Sequence, residues 1–104
     1  MGFLDFIFGI RKRQVERYLE NGAVILDVRT QKEWDKGHIT NAIHIPLDEL
    51  HNRYNEVKNL NKRIVTCCES GIRSRKAAQF LNLKNVEAVN GGGWVGLNEI
   101  YNRA

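Results

Sequence analysis

The sequence predicts an α/β fold in which a mainly parallel sheet is covered by helices on both faces. Short apolar runs, which fit buried parallel strands, alternate along the chain with longer stretches whose apolar residues recur at helical spacing. Strands that alternate with helices form parallel pairs through crossover connections. The 104 residues, 42% hydrophobic and 27% charged, have the size and composition of one globular domain. We therefore expect a single domain over 1–104, with an N-terminal helical segment over 1–20 and a core over 20–104.

The N-terminal segment combines a helical stripe with an apolar run. Val15, Tyr18 and Leu19 lie at positions i, i+3 and i+4, and Asn21-Gly22 provides a helix stop. The apolar run Gly2–Ile10 is too short to span a bilayer, which needs about 20 apolar residues. Its charges follow it rather than precede it, unlike those of a secretory signal. We expect the run to pack across the domain; the alternative is a helix that docks on a membrane surface or on a partner.

The remaining elements are predicted from apolar runs and from their start and stop signals. Thr30 and Glu33 form the capping box of a short helix that begins at Gln31. Pro46, the only proline, stops the second strand. The predicted strands are 23–27, 42–45, 63–67 and 86–89, and the further helices are 47–54 with a possible extension to 57, 74–81 and 94–103.

The segment Cys68-Glu69-Ser70-Gly71-Ile72-Arg73-Ser74 carries the candidate chemistry. It follows a predicted central strand and precedes a predicted helix, so Cys68 lies at the carboxyl end of a strand, where ligand sites of parallel sheets occur. Loop amides and a helix N-terminus present positive potential, and Arg73 adds a charge. All three favour a thiolate, so the pKa of Cys68 is expected to fall below its ordinary value. The segment therefore predicts a nucleophilic sulfur.

Four residues separate Cys68 from Arg73, whereas tyrosine-phosphatase-type loops place five residues between the two. A shorter ring of amides fits one added sulfur atom better than a tetrahedral phosphoryl group. The segment resembles the active-site loop of the rhodanese (sulfurtransferase) family, Cys-x-x-Gly-x-Arg-Ser.

Two further motifs support this resemblance. Leu26-Asp27-Val28-Arg29, Glu33-Trp34 and 37–46 resemble the N-terminal signature of that family, and Asn90-Gly91-Gly92-Gly93-Trp94 resembles its glycine turn. We expect these glycines to let the backbone turn tightly beside the Cys68 loop. The motifs stand in family order over roughly residues 20 to 96. The resemblance implies a rhodanese-like three-layer domain and sulfur transfer through a Cys68 persulfide.

The other residues of the segment are assigned supporting roles. Loop amides from Glu69 to Ser74 are expected to hold the terminal sulfur, and Arg73 to stabilise the thiolate or the oxygens of a substrate. Glu69 and Ile72 are expected at the mouth, where an acid opposes an anionic donor. Ser70 and Ser74 either donate hydroxyl hydrogen bonds to a persulfide or, at Ser74, cap the helix.

Two residues near the first strand are expected to support the loop. Asp27 is predicted to orient loops by hydrogen bonds, and Arg29 to form an ion pair with Glu33 that fixes the following helix. Cys67, inside the central strand, is predicted to be buried; the alternative is that it acts as a second thiol for Cys68.

Composition limits the possible partners and cofactors. The net charge of +4 is compatible with a small anionic donor, but a solvated basic surface explains it equally well. No basic stripe carries interleaved exposed aromatic residues, which argues against nucleic-acid binding. The three histidines lack the spacing of a metal site, so neither a metal nor another cofactor is expected. The two cysteines are adjacent and poorly placed for a structural disulfide, which favours a reducing, cytoplasmic location.

The sequence therefore predicts a sulfurtransferase with two kinds of partner. The donor is a small molecule such as thiosulfate or a persulfide, and the acceptor is cyanide or a thiol, including that of a protein. The alternative is a non-catalytic module that carries sulfur or binds a partner. A phosphatase or arsenate reductase is a third hypothesis, which the four-residue gap disfavours.

Overall fold

The computed structural model describes residues 2–103, with side chains from residue 9 onward. Within this part of the chain four strands alternate with five helices. The helices are α1 (Phe3–Glu20), α2 (Gln31–Asp35), α3 (Leu47–Lys58), α4 (Ile72–Leu83) and α5 (Trp94–Arg103). The strands are β1 (Val24–Asp27), β2 (Ile43–His44), β3 (Ile64–Cys68) and β4 (Ala88–Gly93).

The four strands form one sheet in the order β2-β1-β3-β4, and every neighbouring pair is parallel. In the register of the central pair, Asp27 lies opposite Cys67, while Cys68 lies opposite Gly93 of β4. A register irregularity separates Thr66 from Cys68. The α/β class and the parallel sheet are therefore confirmed, and β3 ends in the middle of the sheet edge where strands β1 and β4 also end.

Apolar side chains cover both faces of the sheet, as predicted. One core cluster joins the sheet to α3 and α4, and the other joins it to α1 and α5. The first includes Leu26, Val28, Ile45, Leu50, Val57, Ile64, Cys68, Ala77, Ala78, Leu81, Val86 and Ala88. The second includes Val15, Ile25, Ile39, Val65, Cys67 and Leu97. Since successive side chains of a strand face opposite ways, Cys67 and Cys68 belong to different clusters.

Several element bounds differ from those predicted, most clearly around the loop. Strand β3 includes Cys68, and helix α4 begins at Ile72 rather than at Ser74. Gly71 is the N-cap residue with φ of 100°, a left-handed conformation that glycine adopts without strain. This allows the helix to begin almost directly after the strand. Ser74 consequently lies in the first helical turn.

The glycine run forms the end of β4, where we predicted a turn. Asn90 to Gly93 continue the strand, and a Cβ atom at Gly91 would lie 2.7 Å from Val65 Cγ1 and 2.8 Å from the Thr66 carbonyl oxygen. A Cβ atom at Gly93 would lie 2.9 Å from the carbonyl oxygen of Glu69. The main role of the glycines is therefore close approach to β3 and the loop, although Gly92 has φ of 84°.

Helix α1 packs on the sheet through its second half. Val15 is 2% exposed, and Tyr18 and Leu19 pack against the same cluster, as the helical stripe predicted. The predicted packing of the run Gly2–Ile10 concerns side chains that lie largely outside the described residues. None of the helices between residues 2 and 103 combines the length and the apolar character that a membrane span requires.

Candidate active site

The sulfur of Cys68 lies at the carboxyl end of β3, beneath the first turn of α4. Cys68 is buried, with a relative exposure of 0%. Thr66 Oγ1, two residues earlier in the strand, donates a hydrogen bond of 2.7 Å to the Ser74 carbonyl oxygen and so fixes the helix over the strand end. The strand end and the helix start therefore hold the sulfur in one place.

Main-chain amides point directly at this sulfur. The Gly71 amide donates to Cys68 Sγ at 3.0 Å, and the Ser74 amide donates at 3.4 Å. The first amides of a helix have no carbonyl partner within that helix. Because α4 begins at Ile72, the Ser74 amide is one of these, and the Cys68 sulfur accepts its hydrogen bond. The early helix start thus places the helix N-terminus on the sulfur.

The pKa of Cys68 is lowered from its ordinary value, as the sequence predicted. Burial acts the other way and raises it, but the Ser74 hydroxyl and amide together with the amides of Gly71 and Ser70 lower it by more. Hydrogen bonds thus stabilise the thiolate even though the group is buried. The charge of Arg73, which we expected to contribute, is not among the principal causes.

Ser74 does not cap its own helix. Its hydroxyl oxygen lies 3.3 Å from Cys68 Sγ and 2.7 Å from Asn90 Oδ1. Asn90 Nδ2 donates to the Gly71 carbonyl oxygen at 3.0 Å, and its Oδ1 accepts from the Gly92 amide at 2.9 Å, which together fix the orientation of the amide group. Asn90 therefore links β4 to the loop and to the residue that contacts the sulfur.

Arg73 is bound to a carboxylate. Its two Nη atoms donate to the Glu33 oxygens at 2.8 and 2.9 Å, a bidentate pair. The pair raises the pKa of Arg73 and, with the hydrogen bonds from Thr30, lowers that of Glu33 to about 2. The Cys68 thiolate also raises the pKa of Arg73, so the guanidinium lies within electrostatic reach of the sulfur. Within the described contacts, the guanidinium binds Glu33 rather than the sulfur.

Asp27 and Arg29 form a buried pair next to the loop. Arg29 Nε donates to both Asp27 oxygens at 3.0 Å, and Nη2 donates to Asp27 Oδ2 at 2.8 Å. The side chain of Arg29 is 2% exposed and that of Asp27 is 0% exposed. Arg29 Nη1 donates to the Glu33 carbonyl oxygen at 3.2 Å, not to its carboxylate, so the predicted Arg29–Glu33 ion pair is wrong. Glu33 binds Arg73 instead, because α2 turns its carboxylate toward α4.

One acidic side chain, Glu69, and one apolar side chain, Ile72, lie at the mouth of the loop. The Glu69 side chain is 57% exposed, and its Oε1 lies 3.4 Å from Arg29 Nη1. Ser70 is exposed, and Ile72 has a relative exposure of 58%. Glu69 and Ile72 therefore surround the loop in solvent-accessible positions.

Cys67 lies on the opposite face of the sheet and is fully buried. Burial, followed by the negative charge of Asp27, raises the pKa of this thiol. It therefore stays protonated at neutral pH, while its neighbour Cys68 favours the thiolate. Among residues 2–103, no group of three or more His, Cys, Asp or Glu side chains is placed to hold a metal ion.

The sequence motifs do not indicate the roles of two site residues. Asn90 begins the glycine motif, and the structure places it on the strand next to Cys68. Glu33 binds Arg73 rather than the predicted partner Arg29. Asn90 lies beside the loop because β4 pairs with β3. The position of Asn90 could therefore be predicted only from the order of the strands in the sheet.

Comparisons with known proteins agree with this geometry. The family model for the Rhodanese-like domain matches residues 12–99. The putative sulfur carrier protein YrkF of Bacillus subtilis is 43% identical over 65 residues, which make up 62% of this chain and 35% of that protein. The thiosulfate sulfurtransferase GlpE of Coxiella burnetii is 36% identical over 72 residues, 66% of each chain. The chain thus spans about a third of the length of the first relative and about two thirds of the second.

A solved structure gives the same result. The crystal structure of a rhodanese-like domain protein from Staphylococcus aureus superposes with a TM-score of 0.66 at 34% identity, over 73% of this chain and 74% of that one.

Proposed function

The chain belongs to the Rhodanese-like domain family, and we propose that it acts there as a sulfurtransferase, carrying sulfane sulfur on Cys68. The observation that carries the proposal is the environment of the sulfur: Cys68 Sγ accepts amide hydrogen bonds from Gly71 and Ser74, which lower its pKa. A thiolate at the end of a strand, facing a helix N-terminus, is equipped for nucleophilic catalysis.

In the first half-reaction the Cys68 thiolate attacks the outer sulfur of the donor. With thiosulfate, a bond forms between Cys68 Sγ and the outer sulfur, the sulfur–sulfur bond of thiosulfate breaks, and sulfite leaves with the electron pair. Total charge is conserved, because a thiolate and a dianion become a persulfide anion and sulfite. The Ser70, Gly71 and Ser74 amides offset negative charge at the sulfur throughout this step.

In the second half-reaction an acceptor takes the outer sulfur from the persulfide. A thiolate acceptor or cyanide attacks that sulfur, and the Cys68 thiolate leaves and is stabilised by the same amides. The Cys68 thiolate is the nucleophile in the first half-reaction and the leaving group in the second. Because a thiol of lower pKa leaves faster, the lowered pKa of Cys68 assists this second step. The proposed cycle is a ping-pong reaction that uses no cofactor, and a protein thiol is an equally suitable acceptor.

A sulfur-carrier role is the second candidate, and the similarity to a putative sulfur carrier protein favours it. A carrier needs the same Cys68 persulfide but passes the sulfur on only to its own partner. The two roles share the first half-reaction and differ in the second. Turnover with cyanide or a small thiol as acceptor distinguishes them.

The experiment that tests the proposal combines mass spectrometry with an assay of sulfite release. The purified protein is incubated with thiosulfate or a persulfide, and its intact mass is compared before and after reduction. We expect a reducible gain of one sulfur atom on Cys68. Sulfite release with cyanide present is expected to fall by at least about a thousandfold in Cys68→Ser, since loss of a covalent route costs several kcal/mol of barrier.

Cys67→Ala is the matched control, since it removes the neighbouring thiol on the other face of the sheet. We expect it to keep most of the activity. Sulfur gain that persists in Cys68→Ser would contradict the assignment, and so would turnover of an aryl phosphate by the unmodified protein without any sulfur transfer.

A further inference from the structure

Five ionisable side chains are linked by the ion pairs around the loop, and acids outnumber bases. They are Asp27, Arg29, Glu33, Glu69 and Arg73. Two guanidinium groups and three carboxylates give a net charge of −1, which a thiolate at the sulfur changes to −2. These five groups therefore offer no net positive charge to a donor with two negative charges, and the charges of Arg75 and Lys76, further along α4, are exposed and screened by solvent.

The net positive charge of the chain, +4, lies outside these five side chains. Helix α1 carries +1 of it, since Arg11, Lys12, Arg13 and Arg17 outnumber Asp5, Glu16 and Glu20 by one. The overall basic character, which is compatible with an anionic donor or with a solvated basic surface, therefore does not describe the ion pairs around the loop.

The guanidinium groups near the sulfur already bind carboxylates and carbonyl groups. Both Arg73 Nη atoms donate to Glu33. Arg29 donates through Nε to Asp27, through Nη2 to Asp27 and the Gly37 carbonyl oxygen, and through Nη1 to the main chain of residue 33. An oxyanion could take the Nη1–Nη2 edge of Arg73 only by displacing Glu33, and the side chain of Arg29 is buried at 2% exposure. The pairing with Glu33 therefore removes the end-on fork of Arg73 as a sulfonate site.

Access to the sulfur also favours a donor with little bulk next to the sulfur atom that is transferred. Cys68 has a relative exposure of 0%, so a donor must bring its outer sulfur past side chains at the rim, which include the exposed, apolar Ile72. The sulfonate of thiosulfate places three oxygens next to the sulfur being transferred, whereas an alkyl persulfide places a sulfur and a methylene group there. The alkyl group can also contact Ile72 without losing hydrogen bonds to water.

We propose that the donor for this site is an alkyl persulfide, R–CH₂–S–SH or its monoanion, rather than the thiosulfate dianion. This inference rests on the proposed function and narrows its substrate class. The paired state of Arg73 and Arg29, the acidic mouth at Glu69 and the apolar rim at Ile72 together carry it.

The step balances without an added oxidant or reductant. The Cys68 thiolate attacks the terminal sulfur of R–CH₂–S–SH, and a bond forms between these two atoms. The original sulfur–sulfur bond breaks, and its electron pair leaves with R–CH₂–S⁻. A neutral donor and a thiolate thus become a neutral Cys68 persulfide and a thiolate, so no additional charge accumulates in the acidic mouth.

The experiment compares three donors in single-turnover reactions. They are thiosulfate, methanethiosulfonate, which has one methyl group in place of one oxygen and a single charge, and 2-hydroxyethyl persulfide. The rate at which Cys68 gains one sulfur atom is followed by rapid quenching and intact mass. Each rate is divided by the rate of the same donor with a small free thiol, which removes differences in intrinsic reactivity. We expect the normalised rate to be at least about tenfold higher for the persulfide than for thiosulfate, with methanethiosulfonate between them.

Charge-removing variants separate electrostatics from shape. Glu69→Gln and Glu33→Gln each remove one negative charge, and glutamine preserves the capping-box role at position 33. We expect each variant to raise the thiosulfate rate relative to the persulfide rate by about three- to tenfold. Glu56→Gln disrupts the exposed ion pair between Glu56 and Arg53 on α3. This variant is the matched control and should leave the ratio of the two rates unchanged.

Each outcome bears on one of the two proposals. A normalised thiosulfate rate equal to or above that of the persulfide, or no change of the ratio in both site variants, overturns the donor class while the proposed function stands. No sulfur on Cys68 from any donor overturns the proposed function and this inference with it. A further donor, an uncharged peptide that carries a persulfidated cysteine, distinguishes the two possible sources of the persulfide. If its normalised sulfur-transfer rate exceeds that of 2-hydroxyethyl persulfide, the donor is a protein persulfide. If the rate is lower, the donor is a small-molecule persulfide.

Discussion

Asn90 Oδ1 and Cys68 Sγ compete for one proton, that of the Ser74 hydroxyl. The hydroxyl oxygen lies 2.7 Å from the amide oxygen of Asn90 and 3.3 Å from the sulfur. A hydroxyl has one hydrogen, and Asn90 Oδ1 can only accept. When the hydroxyl donates to Asn90, the sulfur can donate its own proton to Ser74; when the sulfur is a thiolate, the hydroxyl can turn to it. Asn90 is therefore a positioning residue for the thiolate.

Asn90→Asp is expected to raise the pKa of Cys68. A carboxylate competes more strongly for the Ser74 proton, adds a negative charge near the sulfur and no longer donates to Gly71. The midpoint of the alkylation rate against pH, followed on Cys68 by mass spectrometry, should rise by at least about 0.5 pH unit. Asn82→Asp, which adds the same charge eight residues further along α4 from Ser74, should leave the midpoint in place. An unchanged midpoint in Asn90→Asp would show that Asn90 has no influence on the thiolate.

Ser74→Ala is expected to raise the same midpoint, because it removes the hydroxyl that lowers the pKa of Cys68 and retains the amide. A hydrogen bond to a charged group contributes about 1.5–3 kcal/mol, so the midpoint should rise by roughly one pH unit. Ser70→Ala is the control, since Ser70 acts on the sulfur through its amide, which alanine keeps. Equal midpoints in both variants would mean that amides alone stabilise the thiolate.

The Glu33–Arg73 pair is expected to make stability fall in acid. The pair, together with the hydrogen bonds from Thr30, lowers the pKa of Glu33 to about 2, below its unfolded value of about 4.3. Its contribution is therefore complete above about pH 4.3 and is lost as the pH falls toward 2. Both side chains are about one-third exposed, so solvent screening limits the contribution to about 1 kcal/mol.

The corresponding measurement is urea unfolding at pH 5 and at pH 2. Glu33→Gln should be less stable than the natural chain at pH 5, and the difference should become much smaller at pH 2. A double-mutant cycle with Arg73→Gln isolates the pair from the cap that Glu33 also forms with Thr30. A coupling free energy that does not change between the two pH values would contradict the pairing.

Gly91→Ala is expected to destabilise the domain by about 1–3 kcal/mol, since the added methyl group would lie within 3.0 Å of Val65, Thr66 and Leu97. Gly96 is the matched control, because it lies in α5 and, among the described residues, no atom beyond its chain neighbours and adjacent helix backbone lies within 4 Å of its added Cβ. Alanine there should be neutral or stabilise by up to about 1 kcal/mol. Thermal unfolding of the two variants tests the difference. Equal losses of stability would show that the strand β4 can move away from β3.

The sequence was sufficient for features that depend on local chemistry. The capping box of Thr30 and Glu33, the parallel strands and the position of Cys68 at a strand end follow from residues that are close along the chain. The partners of the two arginines could not be read in this way. Glu33 and Arg73 are 40 residues apart, and their contact depends on how α2 and α4 pack at the sheet edge.

The predicted start of helix α4 was wrong by two residues for a different reason. Ser74 is a favourable N-cap residue by type, and the prediction relied on that preference. The structure instead uses Gly71 in a left-handed conformation and gives the Ser74 amide to the sulfur. The requirement of the site thus overrides the intrinsic capping preference.

The opposite orientation of the two neighbouring cysteines has a consequence under oxidative stress. Cys68 is a lowered-pKa sulfur that peroxide would convert to a sulfenic acid, and Cys67, the other thiol of these 104 residues, faces the far side of the sheet. An internal disulfide cannot rescue that sulfenic acid while the sheet is intact. Its repair depends on an external thiol such as glutathione, and without one a second equivalent of peroxide oxidises the sulfur to the irreversible sulfinic state.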